Sequence, residues 1–204
     1  MVLGIDFDNT IVCYDAIFHR AAVERGWITP AVPARKKDVR DRLRQQGQEE
    51  DWTVLQGYVY GLRMAEAQPF PGVIEFFRRA VQQRVPICII SHKTRRPAVG
   101  PAYDFHQAAR DWLESQGFFD PARIGMPREN VFFASTRQEK IALICRHRCS
   151  HFVDDLEETF LEPGFPSSVV GILFGQHEAP PGLRGIRLAR DWSEVSQYVF
   201  DQSI

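Results

Sequence analysis

The chain opens on a short apolar run, Val2, Leu3 and Ile5, that stops at Asp6, Asp8, Asn9 and Thr10. An apolar run closed by polar turn formers predicts a buried parallel strand ending in a polar loop. Residues 85–90, 131–134 and 169–174 are near-continuous apolar runs of the same kind, and 151–153 leads into Asp154 and Asp155. Between these runs the apolar positions return at helical spacing. Helices are predicted over 15–27, with Gly26 as a stop, and over 35–46. Others run from an Asp51 N-cap to about residue 67, and over 72–84 and 105–116. One more enters through Thr136, and the last is capped by Asp191. Trp52, Leu55, Val59 and Leu62 share one stripe of the third helix. Residues 29–33, 97–104 and 180–185 read as loops, and 118–130 is loop-rich. Alternating strands and helices with apolar strands predict a doubly wound α/β core.

Composition adds bounds. The 204 residues suffice for one sizeable domain and a smaller insert. Apolar and charged fractions of 44% and 25% are those of a soluble globular protein. A net charge of −1 gives no argument for nucleic acid or an acidic membrane surface as partner. No apolar run approaches the roughly 18 residues of a membrane span. The first residues lack a basic leader and enter a strand at once, so a cytoplasmic protein is expected. Cys88 lies in an apolar run and reads as core. Cys145, His147, Cys149 and His151 alternate in a way that suggests zinc, but structural zinc sites pair two ligands with a distant second pair. Free thiols in a reducing compartment are the plainer reading.

The candidate chemistry lies at the strand ends. Asp6 and Asp8 are two residues apart and share one side of an extended chain. Carboxylates that close either hold a cation or share a proton; a loop of turn formers is the bland alternative. Ser91 ends the second long apolar run and is followed by His92 and Lys93. On its own, a serine there is an ordinary turn residue. Thr136 and Glu139 have capping-box spacing, which puts Lys140 in a first helical turn. A cation there opposes the helix dipole and needs an anionic partner. Asp154 and Asp155 form a second acidic pair. The helix at 35–46 carries Arg35, Lys36, Lys37, Arg40, Arg42 and Arg44; it reads as a solvated face with local ion pairs or as a basic lip for an anion. Gln56, Tyr60 and Arg63 lie off the apolar stripe, where they could face a pocket.

Asp6-Phe7-Asp8-Asn9-Thr10 resembles the first motif, Asp-x-Asp-x-Thr, of the haloacid dehalogenase superfamily. Ser91, Lys140 and Asp154-Asp155 resemble its second, third and fourth motifs, in the family's order. The resemblance implies a Rossmann-like sheet of order 3-2-1-4-5, formed by 1–12 and 70–204. It also implies a helical C1-type cap, 13–69, over the active site. It implies Mg²⁺ held by the Asp6 and Asp154 side chains and the Asp8 backbone carbonyl, with Asp155 supporting them. Oxygen ligands of this kind suit Mg²⁺. Asp6 would be the nucleophile, Asp8 the general acid and base, and Ser91 and Lys140 the partners of the phosphoryl oxygens. Ser91, His92 and Lys93, with Gln56, Tyr60 and Arg63 of the cap, would bind substrate.

The family's dehalogenases lack an acid at the Asp8 position, so the resemblance favours a phosphatase acting on a small soluble phosphate ester, such as a phosphosugar or nucleotide. A phosphotransferase or mutase would keep the same residues. A silent binding module remains a third class, though it has no chemical need for these acids and a lysine at these spacings.

Overall fold

The protein was analysed as a computed structural model that describes residues 1–175 and 185–201. The chain divides into two compact units. One comprises Met1–Ile11, Pro69–Lys93 and Gly117–Ile204; the other comprises Val12–Gln68 and Thr94–Gln116. The described residues contain the α-helices α1 (Asp15–Glu24), α2 (Lys36–Gln45), α3 (Glu49–Tyr60), α4 (Val73–Gln82), α5 (Phe105–Ser115), α6 (Arg137–Arg146), α7 (Glu157–Leu161) and α8 (Trp192–Phe200). None of them is long and apolar enough to cross a membrane.

The first unit is built on a parallel sheet: β1 (Leu3–Ile5), β2 (Ile87–His92), β3 (Val131–Ala134), β4 (His151–Asp154), β5 (Val170–Phe174) and β6 (Arg187–Ala189). Its order is β3-β2-β1-β4-β5-β6, the expected 3-2-1-4-5 with one more strand at the edge. That sixth strand is three residues long and opens on a charged arginine, so it carries no apolar run to announce it. The loop expected at 180–185 lies outside the described residues, except for Gly185.

Register explains the apolar runs. In β1, Leu3 and Ile5 pair with Ile87 and Ile89 on one side and with His151 and Val153 on the other. All three β1 residues are buried, as expected for a strand with neighbours on both sides and covered on both faces. Gly4 leaves space that its neighbours fill: a Cβ there would lie 2.6 Å from Phe152 Cδ2 and 2.9 Å from Cys149 Sγ. An aromatic layer forms between α4 and α8. Phe76 and Trp192 have ring centroids 4.8 Å apart, and Phe77 packs on Phe118 at 5.0 Å. The segment expected to be loop-rich closes on itself through Met126 N–H to the Phe118 carbonyl, 2.8 Å, and ends in a 3₁₀ turn, Arg128–Asn130.

The second unit is helical. α1, α2 and α3 pack together, and α5 joins them, with Trp112 Nε1 donating to the Ala67 carbonyl at 2.9 Å. The third helix begins earlier than expected. Gln48 is its N-cap, and Asp51 lies in the first turn with Glu49 and Glu50, where acids favour the positive helix end. It also ends earlier, at Tyr60, so Leu62 leaves the stripe and is 60% exposed. Around the basic helix the local ion pairs are present: Arg35 with Asp38, Arg40 with Asp41 at 2.9 Å, and Arg44 with Glu49 at 2.7 Å.

Candidate active site

The parallel register brings the ends of β1 and β4 side by side. Asp6 follows Ile5 directly, and its N–H donates to the Val153 carbonyl at 2.9 Å, one residue before Asp154. The next residues turn sharply: Asn9 has φ +58°, a left-handed conformation that asparagine tolerates, and Ile11 N–H donates back to the Phe7 carbonyl at 3.0 Å. Trp192 steadies this turn from below through Nε1 to the Thr10 carbonyl, 3.1 Å. Thr10 Oγ1 accepts from Asp155 N–H at 3.1 Å and lies 3.5 Å from Asp155 Oδ1. The threonine thus fastens the first strand's loop to the second acidic pair.

Asp6, Asp154 and Asp155 each bring one carboxylate oxygen within 4.8 Å of the others. Among the described residues this is the only grouping of three potential metal ligands. Cys145, His147, Cys149 and His151 do not form one. Cys145 is exposed while Cys149 is buried, and His147 stacks on Phe132 with centroids 4.1 Å apart.

Lys140 reaches into the acidic group from α6. Thr136 caps that helix by accepting from Glu139 N–H at 3.1 Å, while the Glu139 carboxylate accepts from Ser135 N–H at 2.6 Å. The cap fixes the first turn, and Lys140 Nζ donates to Asp6 Oδ1 and to Asp154 Oδ2, each at 2.6 Å. Lys140 is only 2% exposed. Burial alone would lower its pKa; Asp154 and Asp6 outweigh that and hold the ammonium above its ordinary value. Burial pushes the Asp6 carboxyl well above the ordinary carboxylate range; Lys140 pulls it down, and Asp154, Asp155 and Asp8 raise it further. Three carboxylates facing one ammonium leave unbalanced negative charge. This hard-oxygen site fits a divalent cation such as Mg²⁺.

The remaining motif residues lie in the same unit. Ser91, near the end of β2, is 1% exposed, and its Oγ has no hydrogen-bond partner among the described residues. A buried hydroxyl without a partner is costly, so Ser91 is suited to meet a ligand oxygen. His92 is exposed, with Nε2 3.2 Å from the Ser135 carbonyl. Lys93 is buried, and its Nζ donates to both oxygens of Asp8, at 2.9 and 2.8 Å. That pairing, and the Trp192 and Thr10 supports, were not anticipated from sequence. The one available signal was alternation: Ser91 and Lys93 share a side of the extended segment, with His92 opposite.

Gln56, Tyr60 and Arg63 lie in the helical unit. Tyr60 packs edge-on against Tyr14 and Phe105, at 5.0 and 5.9 Å. Arg63 donates to Glu66, to Glu24 at 2.6 Å and to Tyr58 at 3.4 Å. Gln56 is half-buried on α3.

Solved structures with this architecture were found. A HAD family hydrolase from Deinococcus radiodurans R1, with bound phosphate and sodium, has a TM-score of 0.59 at 15% identity, covering 98% of this chain and 95% of that one. The putative HAD-hydrolase YfnB from Bacillus subtilis, bound to magnesium, has a TM-score of 0.54 at 11% identity, covering 98% of each. Protein Tyrosine Kinase A from Mycobacterium tuberculosis has a TM-score of 0.64 at 14% identity, covering 98% and 97%. No family model matches the sequence, and no curated protein does. The chain has the haloacid dehalogenase fold; Asp6, Ser91 and Asp154 stand at or just after the carboxyl ends of the central strands, and Lys140 in the first turn of α6.

Proposed function

We propose that the protein is a hydrolase of the haloacid dehalogenase type that cleaves phosphate monoesters. The observation that carries this reading is the convergence of Asp6, Lys140 and the Asp154–Asp155 pair; the buried Ser91 hydroxyl, without a partner among the described residues, supports it. In a first step an Asp6 oxygen attacks phosphorus; the new bond gives an aspartyl-phosphate, and the ester oxygen leaves with a proton from Asp8. In the second step water attacks the same phosphorus, Asp8 takes its proton, and Asp6 is released. Ser91 Oγ and Lys140 Nζ supply donors for the phosphoryl oxygens, placed before reaction. Asp6, Asp154 and Asp155, with the Asp8 backbone carbonyl, would hold Mg²⁺, which when bound neutralises phosphoryl charge. The magnesium bound to YfnB and the phosphate bound to the D. radiodurans hydrolase support the reading by likeness.

The substrate we propose is a small soluble phosphate ester, such as a phosphosugar or nucleotide. This follows from the helical cap, 13–69, that the family resemblance implies; the chain enters a helical unit directly after the Asp6–Thr10 motif. A metabolite panel would rank them. The test of the reaction is hydrolysis of p-nitrophenyl phosphate with Mg²⁺ and with EDTA. Mg²⁺-dependent release of nitrophenol is expected; equal rates in EDTA would remove the metal from the account.

A further inference from the structure

Lys93 has two possible occupations in a phosphate-ester site: to grip the phosphate, or to hold another residue. Its backbone N–H donates to the Ala134 carbonyl at 2.9 Å, which fixes the end of β2 against β3. Its side chain is 3% exposed, and two of the three ammonium donors meet Asp8 Oδ2 and Oδ1. Lys140 divides its donors between two carboxylates, whereas Lys93 commits both of these to one carboxylate and so fixes its direction. Ser91 and Lys140 already supply donors on the Asp6 side. Asp8 belongs to a sharp loop, and the two bonds from Lys93 fix the direction of its carboxylate there.

We propose that Lys93 is a positioning residue that holds the Asp8 carboxylate where it exchanges a proton with the leaving group. The proposal rests on the reading of Asp8 as general acid. Misplacement by about 1 Å can cost roughly 10²-fold. The effect falls on substrates whose leaving oxygen needs a proton, and hardly on one that leaves as a stable phenolate.

The test has two arms on the full chain. The first is a thermal-denaturation cycle of wild type, Lys93→Met, Asp8→Asn and the double variant. Coupled partners predict losses that fail to add by about 2–6 °C. The second compares kcat/KM for phenyl phosphate and p-nitrophenyl phosphate, with inorganic phosphate affinity by calorimetry. Lys93→Met is expected to lose about a hundredfold with phenyl phosphate and far less with p-nitrophenyl phosphate, at unchanged phosphate affinity. Lys93→Arg, which keeps charge and two donors, should restore phenyl phosphate turnover; if Lys93→Met fails to fold, Lys93→Gln replaces it in both arms. Additive stability losses, or a tenfold fall in phosphate affinity with equal losses on both esters, would overturn the proposal. If wild type cleaves neither ester, the functional reading fails, and the positioning role fails with it even where the denaturation cycle shows coupling.

Discussion

Lys140 and Asp6 form an ion pair of 2.6 Å, and both are buried. The same ammonium lies 2.6 Å from Asp154, so one lysine holds together two carboxylates from different strands. Removing one partner of a buried pair typically costs about 3–5 kcal/mol, because the remaining charge is left uncompensated. Lys140→Met is therefore expected to lower stability in urea by about that amount in metal-free buffer, with Mg²⁺ recovering part of it. Denaturation of wild type and variant, each with and without Mg²⁺, measures both. A variant as stable as wild type would show that Lys140 does not carry this charge balance.

Asp8 differs from the other acids. Its carboxylate is held by Lys93, and it is absent from the three-carboxylate grouping. Asp8→Asn is accordingly expected to reduce turnover by about 10²–10⁴-fold, the usual contribution of a proton-transfer group. Mg²⁺ affinity, read by calorimetry, should stay near wild type. A parallel collapse of metal affinity would make the Asp8 side chain a ligand.

At Gly4 a methyl group would press on Phe152 and Cys149, both in the packed core beneath the site. Overpacking of this kind costs about 1–3 kcal/mol. Gly4→Ala should lower the urea midpoint correspondingly, and an unchanged midpoint would mean that β1 and β4 can spread without cost.

His151 opens β4 with a pKa lowered by burial and by the nearby Arg187 charge. Its folded pKa is below the ordinary 6.5, so as pH falls through that value the unfolded chain takes a proton first. Its contribution to stability is present above 6.5 and is lost as pH drops toward the lowered folded pKa. Stability of wild type minus that of His151→Asn, followed from pH 7.5 downward, should shrink through this window. A difference that is flat with pH would contradict the burial argument.

The sheet was largely legible because its central strands are buried on both faces and therefore read as apolar runs, ended by acids, a serine or a glycine. Asp6, Ser91 and Asp154 were legible because each stands where such a run stops, and Lys140 because the capping-box spacing of Thr136 and Glu139 places it in a first helical turn. β6 was not, since a three-residue edge strand gains its place by backbone pairing with β5. The start and end of α3 were misread because Asp51 is a good cap by type, whereas the helix had already begun at Glu49. The Lys93–Asp8 pair joins residues 85 positions apart, and no local pattern carries such a contact.

The central claim is that Asp6 carries the phosphoryl group. It is tested most directly by acid-quenching the enzyme during turnover of p-nitrophenyl phosphate with Mg²⁺ and mapping the phosphorylated peptide by mass spectrometry. The account predicts a phosphoryl group on Asp6 in wild type and none in Asp6→Asn, with residual activity below about a hundredth. A phosphoryl group on another residue, or an Asp6→Asn variant that keeps more activity than that, would contradict it.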